Sequence, residues 1–252
     1  MFSNPFSSFS RHIKRLYAFS EAIHDTYIAP GLFDSLPTPA QRYFKHVLVK
    51  NQSYLSSARL IHDGEFRVNP NQKWSKIKGE EYFTIEPPGF VWRGKVPFMS
   101  ATDLFINKQG NLQIRLFQTI RIINKKDEKI NQGELLRWLA EAPWYPTALL
   151  PSKNLSWEKV NDSECKIIFT SEGIDVDARV HINSKGEITK LQAKRFNNDT
   201  LNNWTGVYKN YQKVNGMLIP ISCEVSWNLE EGDFSYARFN IKKIEYNIPK
   251  QF

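Results

Sequence analysis

Apolar side chains recur every three or four positions over residues 7 to 28, at Phe9, Ile13, Leu16, Phe19 or Ser20, Ile23 and Tyr27. Arg11, Lys14, Arg15, Glu21 and Asp25 fall largely on the other side. That period predicts an amphipathic helix, ended by Ala29-Pro30-Gly31. Two settings suit it: packing on the outside of a sheet, or resting on a membrane surface. The acidic Glu21 and Asp25 speak against the second. A further short helix is expected after Leu36-Pro37, with Thr38 as cap, Pro39 at the first helical position and Tyr43, Phe44, Val47 and Leu48 as its apolar side.

From Tyr54 the period changes to two. Segments 55–68, 73–86, 89–96, 101–107, 111–123, 155–160, 164–170, 174–182, 187–196, 204–214, 218–228 and 234–247 read as strands. The clearest is Ile174 to Ile182, with Ile174, Val176, Ala178, Val180 and Ile182 on one face and Asp175, Asp177, Arg179 and His181 on the other. Asn183 to Gly186, Asn215-Gly216 and Asn107 to Gly110 are hairpin signals. Connections this short give antiparallel neighbours, so the chain reads as a meander. A sheet of that many twisted strands must curl.

Between these strands the helical period returns once, over residues 132–150. Asn131 followed by Glu134 resembles a capping box, and Pro143 stops the helix. Pro146 opens a further short turn that ends at Leu149 and Leu150. Leu135, Trp138, Leu139 and Ala142 form an apolar stripe, while Glu134, Arg137 and Glu141 form a polar one. The bland reading of the polar stripe is a solvated face with i,i+3 and i,i+4 pairs. The sharper reading places it in a cleft, with Arg137 meeting an anionic head group and Glu141 carrying a proton.

The fold class expected is mainly β (α+β): a large curved antiparallel sheet or incomplete barrel, with the insert 132–150 covering its open side or filling its concave face. No repeat or linker divides the 252 residues, so residues 1–50 form an amino-terminal helical arm and 51–252 a single β domain. An apolar content of 41% is ample for a core. The net charge of +8 is scattered along the chain, without a basic stripe or nucleic-acid motif, so nucleic acid is not an expected partner. The Ser-rich start followed by Arg11, His12, Lys14 and Arg15 lacks a secretory core, and no apolar run is long enough to span a bilayer. A cytoplasmic protein is expected, with peripheral membrane contact through residues 7–28 as its one membrane option.

Catalytic signals are sparse. Cys165 and Cys223 have no neighbours at metal-ligand spacing, and His12, His24, His46, His62 and His181 are dispersed, so neither metal nor cofactor is expected. Cys223 reads as a buried small apolar residue, and a Cys165–Cys223 disulfide requires adjacent strands. No nucleophile elbow, zinc-helix motif or phosphate-binding glycine loop occurs. The catalytic candidates are Glu141, Arg137 and His181. His181 shares its strand face with Asp175 and Asp177, but Arg179 lies between them, which favours a solvated, salt-bridged face. The ligand-binding candidates are Trp138, Trp144, Tyr145, Leu149 and Arg137, because clustered aromatics beside prolines make rigid apolar linings.

Four segments carry a resemblance: Leu36-Pro-Thr-Pro-Ala-Gln-Arg-Tyr43, Pro88-Gly-Phe-Val-Trp92, Gln132 to Leu150, and Asn215-Gly-Met-Leu-Ile-Pro220 before Glu224-Val-Ser-Trp227. Over residues 35 to 247 the chain resembles an uncharacterised bacterial family classed as a domain of unknown function, which implies no activity. The order of strand, loop and Asn-Gly turn near the carboxy terminus is similar in pattern to bacterial lipoprotein carriers and related curved-sheet lipid binders. That resemblance implies a curved sheet closed by helices around an apolar cavity. The first functional reading is therefore a non-enzymatic binder of a hydrophobic or amphipathic small molecule between sheet and insert. The alternatives are an enzyme using Glu141 and Arg137 in the same cleft, and a structural or protein-interaction module.

Overall fold

The computed structural model describes residues 5–20, 26–29, 31–117, 120–197 and 199–252, with backbone alone at 5–7 and 121. Its described strands form two antiparallel meanders. The first is β1 (Ser57–Phe66), β2 (Ser75–Thr84), β3 (Gly89–Val96), β4 (Met99–Ile106), β5 (Gln109–Leu116) and β6 (Ile120–Lys125). The second is β7 (Leu155–Lys159), β8 (Glu164–Ser171), β9 (Ile174–Ile182), β10 (Ile188–Asn197), β11 (Thr200–Val214), β12 (Met217–Leu229) and β13 (Gly232–Tyr246). Pairing of β1 with β13 joins them into one curved, unclosed 13-stranded sheet whose edges are β6 and β7. The expected curved antiparallel sheet is present. The segment read as one strand, 111–123, is instead a hairpin of β5 and β6. Phe117, at φ 48°, leaves strand geometry there and breaks the run.

Alternation assigns the two faces. Val176, Ala178, Val180 and Ile182 of β9 are buried on the concave side, while Asp177 and Arg179 pair outside with Lys166 and Glu164 at 3.2 and 3.3 Å. The main core fills the concave face. A smaller one lies on the convex face, where Phe9, Ile13 and Leu16 of α1 (Pro5–Ala18) pack on Tyr82, Val91, Leu104 and Ile106. The helix read from the sequence thus packs on the sheet, but it ends at Ala18, well short of residue 28. Glu21, Ile23 and Asp25 lie outside the described residues. In α2 (Thr38–Val47) the cap position belongs to Pro37, and Thr38, already helical, gives no capping bond. Tyr43, Phe44 and Val47 are buried as expected, whereas Leu48 is extended and half-buried.

The chain has to travel from edge strand β6 to edge strand β7, and it does so across the concavity. This crossing comprises α3 (Glu128–Glu141) and two 3-10 turns, Ala142–Trp144 and Pro146–Leu149. Its start differs from the sequence reading. Asp127, not Asn131, caps α3 by accepting from the Ile130 N–H at 2.8 Å. The Asn131 side chain instead accepts from the Gly110 N–H of β5, also at 2.8 Å. A side chain four residues upstream with the same chemistry took the cap, and Asn131 became a tether to the sheet. Among the described residues no helix is long and apolar enough to cross a membrane.

Candidate functional site

Register places Leu60 of β1, Glu81 of β2, Trp92 of β3 and Asp103 of β4 opposite one another, in one row across the concave face. Arg137 of α3 descends onto that row. Its Nη2 donates to Glu81 at 2.8 Å, its Nη1 to Asp103 at 2.8 Å and its Nε to Glu141, one helical turn on, at 2.9 Å. The guanidinium carbon also lies 4.7 Å from the Phe90 ring centre and 5.0 Å from that of Trp92. The expected solvated stripe is overturned. The Arg137 and Glu141 side chains are only 13% and 12% exposed, and Glu134 is buried as well. The reason is topological: a helix crossing a filled concavity has sheet on its charged side also, and the sheet answers with charge.

Charge balance governs this cluster. Glu134 lies 3.5 Å from Arg195 of β10, so four carboxyls face two guanidiniums. Burial, the largest cause, raises the proton affinity of Glu81, Glu134 and Glu141, taking Glu134 to about 8. Glu81 is pushed well above the carboxylate range, with repulsion from Glu141 adding to burial. Asp103 Oδ1 and Glu134 Oε2 are buried acceptors with no hydrogen-bond partner.

Aromatic side chains fasten the insert. The last carbonyls of a helix have no intrahelical donor. Here the Tyr145 hydroxyl donates to the Trp138 carbonyl at 2.7 Å and the Tyr208 hydroxyl to Ala140 at 2.6 Å. Beyond the helix, Tyr246 donates to the Trp144 carbonyl at 2.7 Å and Trp157 to Leu149 at 2.9 Å. The Trp138 indole donates to the Thr84 carbonyl at 2.9 Å, and its ring stacks on Phe169 with centroids 5.2 Å apart. Trp138, Trp144, Tyr145 and Leu149, proposed from sequence as ligand contacts, are all buried in the main core.

The structure brings Glu141 and Arg137 together and leaves His181 out. His181 is on the convex side of β9, hydrogen-bonded through Nδ1 to the Thr189 hydroxyl at 2.8 Å. His62 faces inward, and its Nε2 accepts from the Trp92 indole at 2.8 Å. Burial pushes its proton affinity down to about 4. Cys165 and Cys223 are both free thiols. Among the described residues no group of three or more His, Cys, Asp or Glu is placed to hold a metal ion. Sequence reasoning missed Glu81, Asp103 and Arg195. A signal was available: each stands at an inward phase of its strand, Glu81 between Gly79 and Phe83, Asp103 between Ala101 and Phe105, Arg195 beyond Leu191 and Ala193.

The ladder between β9 and β10 ends at the pair Gln192–Arg179, although β9 reaches back to Ile174 and β10 runs on to Asn197. The strands part there, and a cleft of about 670 Å³ opens between them, against the first half of α3. Gln132, Leu136, Val176, Ala193 and Trp204 line it from the inside; Lys166, Arg179 and Lys194 rim it. A second, smaller depression of about 530 Å³ lies over β1, β2 and β11–β13, among Asp63, Lys76, Lys78, Lys209, Glu224 and Arg238.

Solved structures that the chain matches include a domain described as an outer membrane lipoprotein-sorting protein from Vibrio parahaemolyticus. It is 10% identical, with 78% of this chain and 87% of that chain covered and a TM-score of 0.44. A LolA superfamily protein from Nitrosomonas europaea is 10% identical over 82% of this chain and 91% of its own, with a TM-score of 0.46. A DUF1329 family protein from Desulfovibrio piger is 9% identical, with 77% and 87% covered and a TM-score of 0.39. No curated protein matches the chain. A family model does match, over residues 34–246, spanning α2, the whole sheet and the insert: the chain belongs to the DUF6920 family, a family of unknown function.

Proposed function

We propose that the chain is a binding protein for an amphipathic small molecule, taken up at the cleft where β9 and β10 part. The observation that carries this reading is the early end of the β9–β10 ladder, which gives α3 an opening through an otherwise continuous sheet. The cleft volume falls in the range of about 300 to 1,000 Å³ usual for small-molecule sites. Leu136, Val176 and Trp204 offer an apolar wall, and at the rim Lys194, beside the Lys166–Asp177 and Arg179–Glu164 pairs, suits an anionic head group. Arg137, already held by three carboxyl groups, is not the head-group receptor in this scheme. Trp138, Trp144, Tyr145 and Leu149 act one layer further in, fixing the position of α3.

Lipid extraction and native mass spectrometry of gently purified protein are expected to show a bound amphiphile. In solution, the apolar fluorophore 1-N-phenylnaphthylamine is expected to bind the wild type and to bind Ala193→Trp, which fills the cleft, about tenfold more weakly. An empty extract together with equal fluorophore binding by both proteins overturns the proposal.

A second reading, catalysis with Glu141 as proton carrier beside Arg137, draws on the raised proton affinities of Glu81, Glu134 and Glu141. Under it, the extracted molecule is chemically altered on incubation with wild type and unaltered with Glu141→Gln. Under the binding reading it comes back unchanged from both.

A further inference from the structure

A strand turns its main-chain groups alternately to its two neighbours, so the register shows which residues face the gap between β9 and β10. The β8–β9 turn is the two-residue Glu172-Gly173, left-handed at both positions with φ 51° and 86°, and Ser171–Ile174 is the pair that closes it. The closing pair of such a hairpin is hydrogen-bonded. Ile174, Val176 and Ala178 therefore give their N–H and C=O to β8, while Asp175, Asp177 and Arg179 turn theirs toward β10. Arg179 meets Gln192 there, at the last pair of the ladder. One step further, the same register would join Asp177 to Lys194. Among the described residues that pair is not formed, and both residues line the cleft instead.

Main-chain N–H and C=O are obligatory hydrogen-bonding groups. The mouth of the cleft thus offers strand donors and acceptors with no ladder partner, and just inside it stand the apolar side chains of Leu136, Val176, Ala193 and Trp204. A hydrocarbon chain suits the interior, but methylenes drawn across the strand edges would strip them of water and leave them unpaired, which is unfavourable. An ester restores an acceptor alone. A secondary amide brings both a donor and an acceptor, as the next residue of a strand would. Lys194 adds a constraint on where that amide sits. Its exposed ammonium is the rim charge for the anionic group, and its main chain belongs to the open edge, so charge and amide have to be neighbours in the ligand.

We infer that the molecule taken up at this cleft belongs to the N-acyl amino acid class, its amide continuing the ladder at Asp177 and Lys194 and its carboxylate meeting the Lys194 ammonium. The inference rests on the binding reading above and names the ligand class within it.

The test is displacement of 1-N-phenylnaphthylamine from the full chain by N-decanoylglycine and by decanoyloxyacetate, in which an ester oxygen replaces the N–H and nothing else changes, both below their micelle-forming concentrations. The amide is expected to displace the probe from wild type at a concentration at least about tenfold lower than the ester, and to lose that advantage in Ala193→Trp. Lys194→Pro removes an N–H that points into the gap and none that serves β11, so the fold should tolerate it as it would at a sheet edge. Lys194→Ala removes the ammonium alone. The proline variant is expected to bind N-decanoylglycine at least about fivefold more weakly than the alanine variant. The inference is overturned, with the binding reading intact, if amide and ester displace the probe from wild type equally, if the advantage of the amide survives in Ala193→Trp, or if proline and alanine at 194 bind the amide alike. A wild type that binds neither probe nor amphiphile removes the binding reading and this inference together.

Discussion

Helices α1 and α3 have the same length, 14 residues, and both carry an apolar stripe and a charged one. In α1 the charged residues Arg11, Lys14 and Arg15 face water. In α3 the corresponding stripe is buried against the row Glu81–Trp92–Asp103 and bound to it. An apolar stripe shows which side of a helix must be covered; it does not show that the other side is left open. What separates the two helices is the connection each serves. One lies on the convex face of a finished sheet, and the other must pass from one edge strand to the other.

The charged stripes should differ most. Arg137→Ala leaves the buried carboxyls of Glu81, Asp103 and Glu141 without their cation, and is expected to destabilise the fold by about 5 kcal/mol in denaturant unfolding. Arg15→Ala on α1 is expected to move it by less than about 0.5 kcal/mol. Similar costs would show that the α3 cluster is exchanging freely with water. The apolar stripes should be more alike. Trp138→Ala is expected to cost about 4 kcal/mol, through its stacked ring and the Thr84 carbonyl left without its donor, and Phe9→Ala about 3. A tolerated Trp138→Ala would mean that α3 is seated the other way round.

The smallest effect concerns protons. A carboxyl whose affinity is raised by folding keeps its proton after the unfolded chain has released it. Its stabilising contribution is therefore complete below the ordinary value of 4.5 and is lost as pH rises through about 8, the value for Glu134. His62, lowered to about 4, gives the opposite slope, but only below its ordinary 6.5. Between about pH 7 and pH 9 the unfolding free energy should thus fall by about 1 to 2 kcal/mol, and Glu134→Gln should flatten the fall. A slope that persists unchanged in the variant would assign it to another group.

Much of the fold was legible because it rests on local pattern. Alternation over 174–182, the Asn183–Gly186 and Asn215-Gly216 turns and the helical period near Trp138 each report on their own neighbourhood, and the curved meander follows from them. The strand 111–123 was misread for a related reason: its apolar run does not lapse at Phe117, and no glycine or asparagine marks the turn. The site was less legible because its partners are distant in sequence. Glu81 and Asp103 precede Arg137 by several strands, and Arg195 follows it by four. The early end of the β9–β10 ladder left no mark in the residues that border it. What the sequence did hold was charge at inward strand positions, which becomes informative once the phase of each strand is known.

Pairing between β1 and β13 also governs how the chain comes into being. Synthesis proceeds from the amino terminus, so the first meander emerges with the outer edge of β1 bare and stays so until Gly232–Tyr246, nearly the whole chain later, has been made. Until then the molecule is two half-sheets tied by one strap. An unpaired strand edge is a template for foreign strands. A nascent chain that stalls short of its final strand therefore offers an open seam to its neighbours, and release of the last 15-residue strand is the moment at which this protein becomes safe in a crowded cell.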